Sequence, residues 1–187
     1  MILLILGVLL FAVIHWFPAL MPAQRSQMLT RMGNPYKGLF ALAIVASIVL
    51  IVLGWRGTVA YPVYETPGWG RHVPFIIMPI AIWLFSSTHS RARIRRVIRH
   101  PMLVGVGLWA AAHLLANGDI RSVILFGGLA AWAVVSIALI NRRDGAWVKP
   151  EINATVASDV RSVVIVLVVY AVLMALHRHF AGVTLFG

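Results

Sequence analysis

The sequence predicts an all-α protein, a polytopic membrane bundle of about six transmembrane helices. Composition, run length and the placement of charge carry that reading. Of the 187 residues, 61% are hydrophobic and 11% charged, against about 25% charged in an ordinary soluble domain. Mean hydropathy is +0.92. Six apolar runs stand out: Ile2 to Leu20, Gly38 to Trp55, Val73 to Ser87, Met102 to Ala116, Ser122 to Ile140 and Val160 to Leu176. A helix needs about 20 mostly apolar residues to cross the hydrocarbon core, so the third and fourth runs are the shortest candidates. No connection is long enough to fold alone, and residues 1–187 read as a single transmembrane domain.

The net charge of +11 is explained by orientation. Arg25, Arg31 and Lys37 follow the first run; Arg91, Arg93, Arg95, Arg96 and Arg99 follow the third; Arg142, Arg143 and Lys149 follow the fifth. Arg56, Arg71, Arg121 and Arg178 lie on the other side. The positive-inside rule then places the three basic connections in the cytoplasm and both termini on the periplasmic side. Basic segments beside a bilayer attract anionic headgroups. Membrane lipids are therefore the expected partner of Arg91 to Arg99, and no nucleic acid is expected.

The first run is not a signal peptide, because its basic residues follow the apolar stretch where a signal peptide has them in front. Between the second and third runs, Pro62, Pro67, Gly68 and Gly70 are mixed with Tyr61, Tyr64 and Trp69, the composition of an interfacial cap. Pro101 suits the first turn of a helix, where its missing N–H is not needed. Asn117-Gly118-Asp119 reads as the turn that ends that helix, with glycine as its C-cap. Asp144-Gly145 is a further turn signal. Small residues, among them Gly105, Gly107, Ala110, Ala111 and Ala112, make the fourth run a packing centre.

Histidine inside an apolar run marks function, since hydrocarbon offers its ring nitrogens no water. Gly7, Phe11 and His15 recur in spacing as Gly105, Trp109 and His113, one residue per turn along one helical stripe. Such a stripe suits a flat cofactor, with histidine as ligand, the aromatic as wall and glycine as room for an edge. It equally suits close helix packing. At 1.5 Å per residue, the two histidines differ in depth by about 7 Å, within reach of one iron if the helices tilt. There is no cysteine, which excludes disulfides, thiolate ligands and covalently attached haem. Arg99, His100 and Arg96 stand at one boundary as candidates for propionate contacts.

The stretch from Arg99 to Phe126, Arg-His-Pro-Met, then Gly, Leu-Trp, His, Asn-Gly-Asp, Ser and Leu-Phe-Gly, resembles the signature of the NnrU family of bacterial inner-membrane proteins. His15 and Gly145 to Glu151 also fit, so the resemblance covers most of the chain. It implies a multi-pass inner-membrane location and a part in denitrification, through expression of nitrite and nitric oxide reductases or a related nitric oxide function. Denitrification proteins are then possible partners. The family's relative 15-cis-zeta-carotene isomerase carries non-covalent haem b, and His15 and His113 match its two proposed axial ligands. The resemblance thus implies a haem b site built from His15 and His113, with Trp109, Gly105, His100 and Arg99 around it.

Departures from the isomerase bear on activity. Its cysteine three positions before the second histidine is Ala110 here, and its histidine after the second span is replaced by Trp55-Arg56. A haem-dependent cis–trans isomerase of a polyene is accordingly the second reading. A membrane methyltransferase is the third, on Arg-His-Pro followed by Gly105. That family's intervening tyrosine and paired glutamate are missing. The other histidines have plainer roles: His72 at an interface, His177 and His179 at a helix end. A His89–His100 metal pair lacks an Asp or Glu to complete it.

Overall fold

In the computed structural model, residues 1–88 and 92–185 are described. Each apolar run becomes a helix. These are α1 (Ile2–Leu20), α3 (Asn34–Gly57), α4 (Val73–Ser87), α5 (Pro101–Ala116), α6 (Ile120–Asp144) and α7 (Val156–Ala181), with α2 (Pro22–Met32) between the first two. Four of them, α1, α3, α6 and α7, are long and apolar enough to cross a membrane. α4 and α5 have 15 and 16 residues, or about 22–24 Å of rise against a core of about 30 Å. The expected six-span count is therefore supported at full length for only four helices.

α2 was expected to be an unstructured connection. Its Gln, Arg, Met and Leu are good helix formers, and Pro22 occupies the first turn. None of its residues is buried. Met28 and Met32, one turn apart, share an exposed apolar stripe while Arg25 and Arg31 supply charge. The helix was missed because its hydropathy is far below that of a span. Gly33, at φ +59°, allows the sharp turn from α2 into α3.

Packing follows the order α3, α1, α6, α5, α4, α7, each helix lying against the next. The two ends of this series meet where Trp55 Nε1 donates to Ala181 O at 3.2 Å. Ala12 of α1, Leu103 of α5 and Trp132 and Ala133 of α6 form the central core, with Phe11, Trp16, Val106, Ile137 and Ile140 against it. Across the α1–α6 contact, Trp16 Nε1 donates to Ser136 Oγ at 2.9 Å. Near its start α6 contains a π-helical turn, Val123–Gly127, which re-aims Phe126 toward α5.

Away from the basic end, the segment after α3 is latched to the α5–α6 turn. Val63 N and Tyr64 N donate to Gly118 O at 2.8 and 3.1 Å, and Ile120 N donates to Tyr61 O at 2.9 Å. The Tyr64 hydroxyl donates to the carbonyls of Leu114 and Asn117. Desolvation, with the Asp119 carboxylate nearby, holds that phenol above its usual pKa and so keeps it a donor. Gly118 is not the C-cap expected from sequence: Asn117 caps α5, and among the described glycines positive φ is confined to Gly33, Gly145 and Gly182. Its lack of a side chain serves close approach: a Cβ there would overlap Tyr64 O. Replacing Gly118 by alanine is expected to cost about 1–3 kcal/mol, the usual range for overpacking. Thermal unfolding in detergent reads this as a lowered midpoint. Gly68→Ala, in the same segment but with nothing within 4 Å of the added Cβ, is the control and leaves the midpoint unchanged.

Candidate functional site

The apolar stripe of α1 places His15 beside α3 and α6. Its ring lies 4.0 Å from Phe11, 5.4 Å from Trp132 and 6.4 Å from Phe40, centroid to centroid. Nδ1 is 2.7 Å from Phe11 O. A carbonyl only accepts, so Nδ1 carries the proton and Nε2 keeps its lone pair. That is the tautomer of a metal-ligating histidine whose second nitrogen is oriented by a carbonyl.

His15 opens onto a chamber of about 230 Å³ near the basic end of the bundle. Its walls are Trp16, Trp132, Ser136, Ile140 and Leu103, and its rim includes Thr88, Arg99, His100 and Met102. Pro101 begins α5 as expected, with His100 as the residue before it. His100 Nε2 donates to Asn141 Oδ1 at 2.8 Å, and Arg99 Nη1 donates to Gly145 O at 2.7 Å. Arg96 instead holds the segment before α7, through Nη2 to Ile152 O at 2.6 Å. Arg99 and His100 are thus tied to the end of α6 and stand beside His15, although 84 residues separate Arg99 from it in sequence.

Two of the residues that line it each bury an unpaired polar atom. Trp132 Nε1 and Thr88 Oγ1 are buried and have no hydrogen-bond partner, and Trp132 is 6% exposed. Leaving such a group unpaired costs about 1–3 kcal/mol. Neither residue was singled out from sequence. Trp132 has no local marker in a run of apolar residues, and Thr88 is brought in by α4.

His113 lies elsewhere. Its ring stacks on Phe126 at 4.7 Å and lies 5.4 Å from Trp109, and Nδ1 is 2.8 Å from Trp109 O. Nε2 is left with the lone pair here too. Among the described residues no aromatic ring touches both histidines. Trp132, against His15, and Phe126, against His113, are six residues apart on α6, or about 9 Å of helical rise. Two imidazoles on one metal bring their nitrogens to about 4 Å, at bonds of about 2 Å each. His15 thus packs against Trp132 and His113 against Phe126, and Trp109 goes with His113.

The room expected beside the glycines is filled by helix. A Cβ at Gly105 would sit 2.7 Å from Ala81 O of α4, and one at Gly7 would sit 2.7 Å from Ile51 N of α3. Both serve packing. Ala110 is fully buried in the same way. His72 is exposed, His177 Nδ1 donates to Val183 O at 3.0 Å, and His89 lies outside the described residues. Among the described residues no group of three or more His, Cys, Asp or Glu forms a metal cluster.

A family model described as NnrU protein matches residues 3–185. The chain belongs to the NnrU family. No curated protein and no solved structure matches it. In this NnrU protein, the Arg-His-Pro element docks the start of α5 against α6 and lines the chamber. Asn-Gly-Asp builds the latch at the opposite end, where Asp119 caps α6 by accepting from Ser122 N at 3.1 Å and Ser122 Oγ at 2.7 Å.

The residues present meet a haem in part. One imidazole with a free Nε2, aromatic walls and a cationic rim suit a porphyrin with two carboxylates. The chamber is smaller than the roughly 300–1,000 Å³ of small-molecule pockets, but it is open on one side.

Proposed function

We propose that this NnrU protein binds haem b through His15 at the basic end of the bundle and supports denitrification through it. The observation behind this reading is the chamber itself, which joins His15 to Arg99 and His100 beside the side chains of Trp16 and Trp132. His15 supplies Nε2 to the iron while Phe11 O holds Nδ1–H. Arg99 and His100 face the carboxylates, and Trp16, Trp132 and Leu103 keep water from the ring. Haem held there by His15 would supply the chemistry of binding a small gas such as nitric oxide. The tie to nitrite and nitric oxide reduction is what the resemblance to the NnrU family implies.

Purification in mild detergent after expression with haem supply tests the reading. One haem per chain is expected, with a Soret band that shifts on titration with nitric oxide. Folded protein without a haem band overturns it.

A further inference from the structure

The geometry points to a headgroup site for a zwitterionic aminophospholipid, such as phosphatidylethanolamine, in a second groove remote from His15. This groove, of about 340 Å³, lies between α4, the start of α7 and the segment before α5. Arg93 and Asp159 face each other in it, Nε to Oδ2 at 3.5 Å. Trp83, Ile94, Val97 and Val163 complete the lining.

Three features select the ligand. First, among the described residues the groove carries one charge of each sign, where the neighbourhood would otherwise be purely basic: Arg93, Arg95, Arg96 and Arg99 fall within seven residues, and the whole chain has five acids. A purely basic groove would favour an anionic lipid, but Asp159 repels a headgroup without a cation. Arg93 offers a planar fork to a phosphate. The Asp159 carboxylate accepts from a primary ammonium, as it cannot from a quaternary one.

Second, the Arg93–Asp159 pair is half open, with side chains 62% and 38% exposed. Exposed pairs of this kind contribute little to stability. A ligand carrying both charges can part them and satisfy each at little cost. Third, the apolar lining continues onto exposed surface, since Val97 is 72% exposed and Val163 is 54% exposed. Val163 lies on α7, a helix of membrane-spanning length. Trp83 suits the boundary between headgroup and acyl chain. The occupant is therefore a lipid with its chains along α7, and not a free phosphoamine.

The full chain in detergent is mixed with equal amounts of phosphatidylethanolamine, phosphatidylglycerol and phosphatidylcholine of identical acyl chains, and retained lipid is counted by native mass spectrometry. Wild type is expected to retain phosphatidylethanolamine at least threefold over each of the others. Millimolar phosphoethanolamine is not expected to displace it. Asp159→Asn should bring phosphatidylglycerol level with phosphatidylethanolamine or above it, and Arg93→Gln should lower retention of all three. Equal retention by wild type, a wild-type preference for phosphatidylglycerol, or displacement by free phosphoethanolamine overturns the proposal. So does a preference that survives Asp159→Asn. The wild-type competition decides the matter even if a variant does not fold.

Discussion

Replacing Gly54 by valine is expected to abolish the folded protein, the largest effect of any single change on the scaffold. α1 and α3 form an antiparallel hairpin whose seam is closed at two glycines. A Cβ at Gly54 would overlap Leu4 N and stand 2.8 Å from the Leu3 carbonyl carbon. One at Gly7 would stand 2.7 Å from Ile51 N and 3.0 Å from the Leu50 carbonyl carbon. The obstacle in each case is the backbone of the opposite helix, which no rotamer change can move. In a bilayer the lipid tails are as apolar as leucine, so helices associate through close fit and not through burial from water. Even one added methyl costs about 1–3 kcal/mol in a tight core, and valine adds three carbons. Monodisperse yield on size exclusion should collapse for Gly54→Val and fall with a lowered thermal midpoint for Gly54→Ala. Gly38→Ala, on α3 with nothing within 4 Å of its Cβ, should fold as well as wild type or slightly better, because glycine in a helix costs about 0.5–1 kcal/mol relative to alanine. A well-folded Gly54→Val protein would show that α1 and α3 do not meet along this seam.

That seam marks where sequence reading stops. Run length and hydropathy located all six apolar helices, because burying backbone in lipid demands continuous hydrogen-bonded helix whatever its neighbours. α2 escaped, since amphipathic spacing over 11 residues is a weaker signal than an apolar run. The glycine–aromatic–histidine stripe was visible, but its meaning depends on what packs against it. For Gly7 and Gly105 that is a neighbouring backbone. Likewise Gly118 was legible as a turn glycine, while the reason for it, the carbonyl of Tyr64, comes from more than fifty residues away. The same limit applies to the chamber. Arg99 and His100 were marked by charge and by Pro101, and His15 by its apolar surroundings. Their meeting depends on α6, whose Trp132, Ser136 and Ile140 carry no distinguishing motif.

His15→Ala is expected to remove the haem band, and His113→Ala to leave it within about twofold of wild type. Both imidazoles have Nδ1 fixed by the carbonyl four residues earlier, so ligand quality does not separate them. What separates them is company. His15 shares its chamber with the Arg99 guanidinium and with His100, whereas His113 is stacked against Phe126 and flanked by Trp109. A porphyrin brings two carboxylates as well as iron, and unpaired carboxylates are costly to place in an apolar site. Arg99→Ala should therefore weaken haem retention without changing the band position, since it removes a carboxylate partner and not a ligand. Exogenous imidazole should restore a band to His15→Ala, which distinguishes a lost ligand from a misfolded bundle. Equal loss of haem in His15→Ala and His113→Ala, with imidazole rescuing both, would instead require one iron between the two rings.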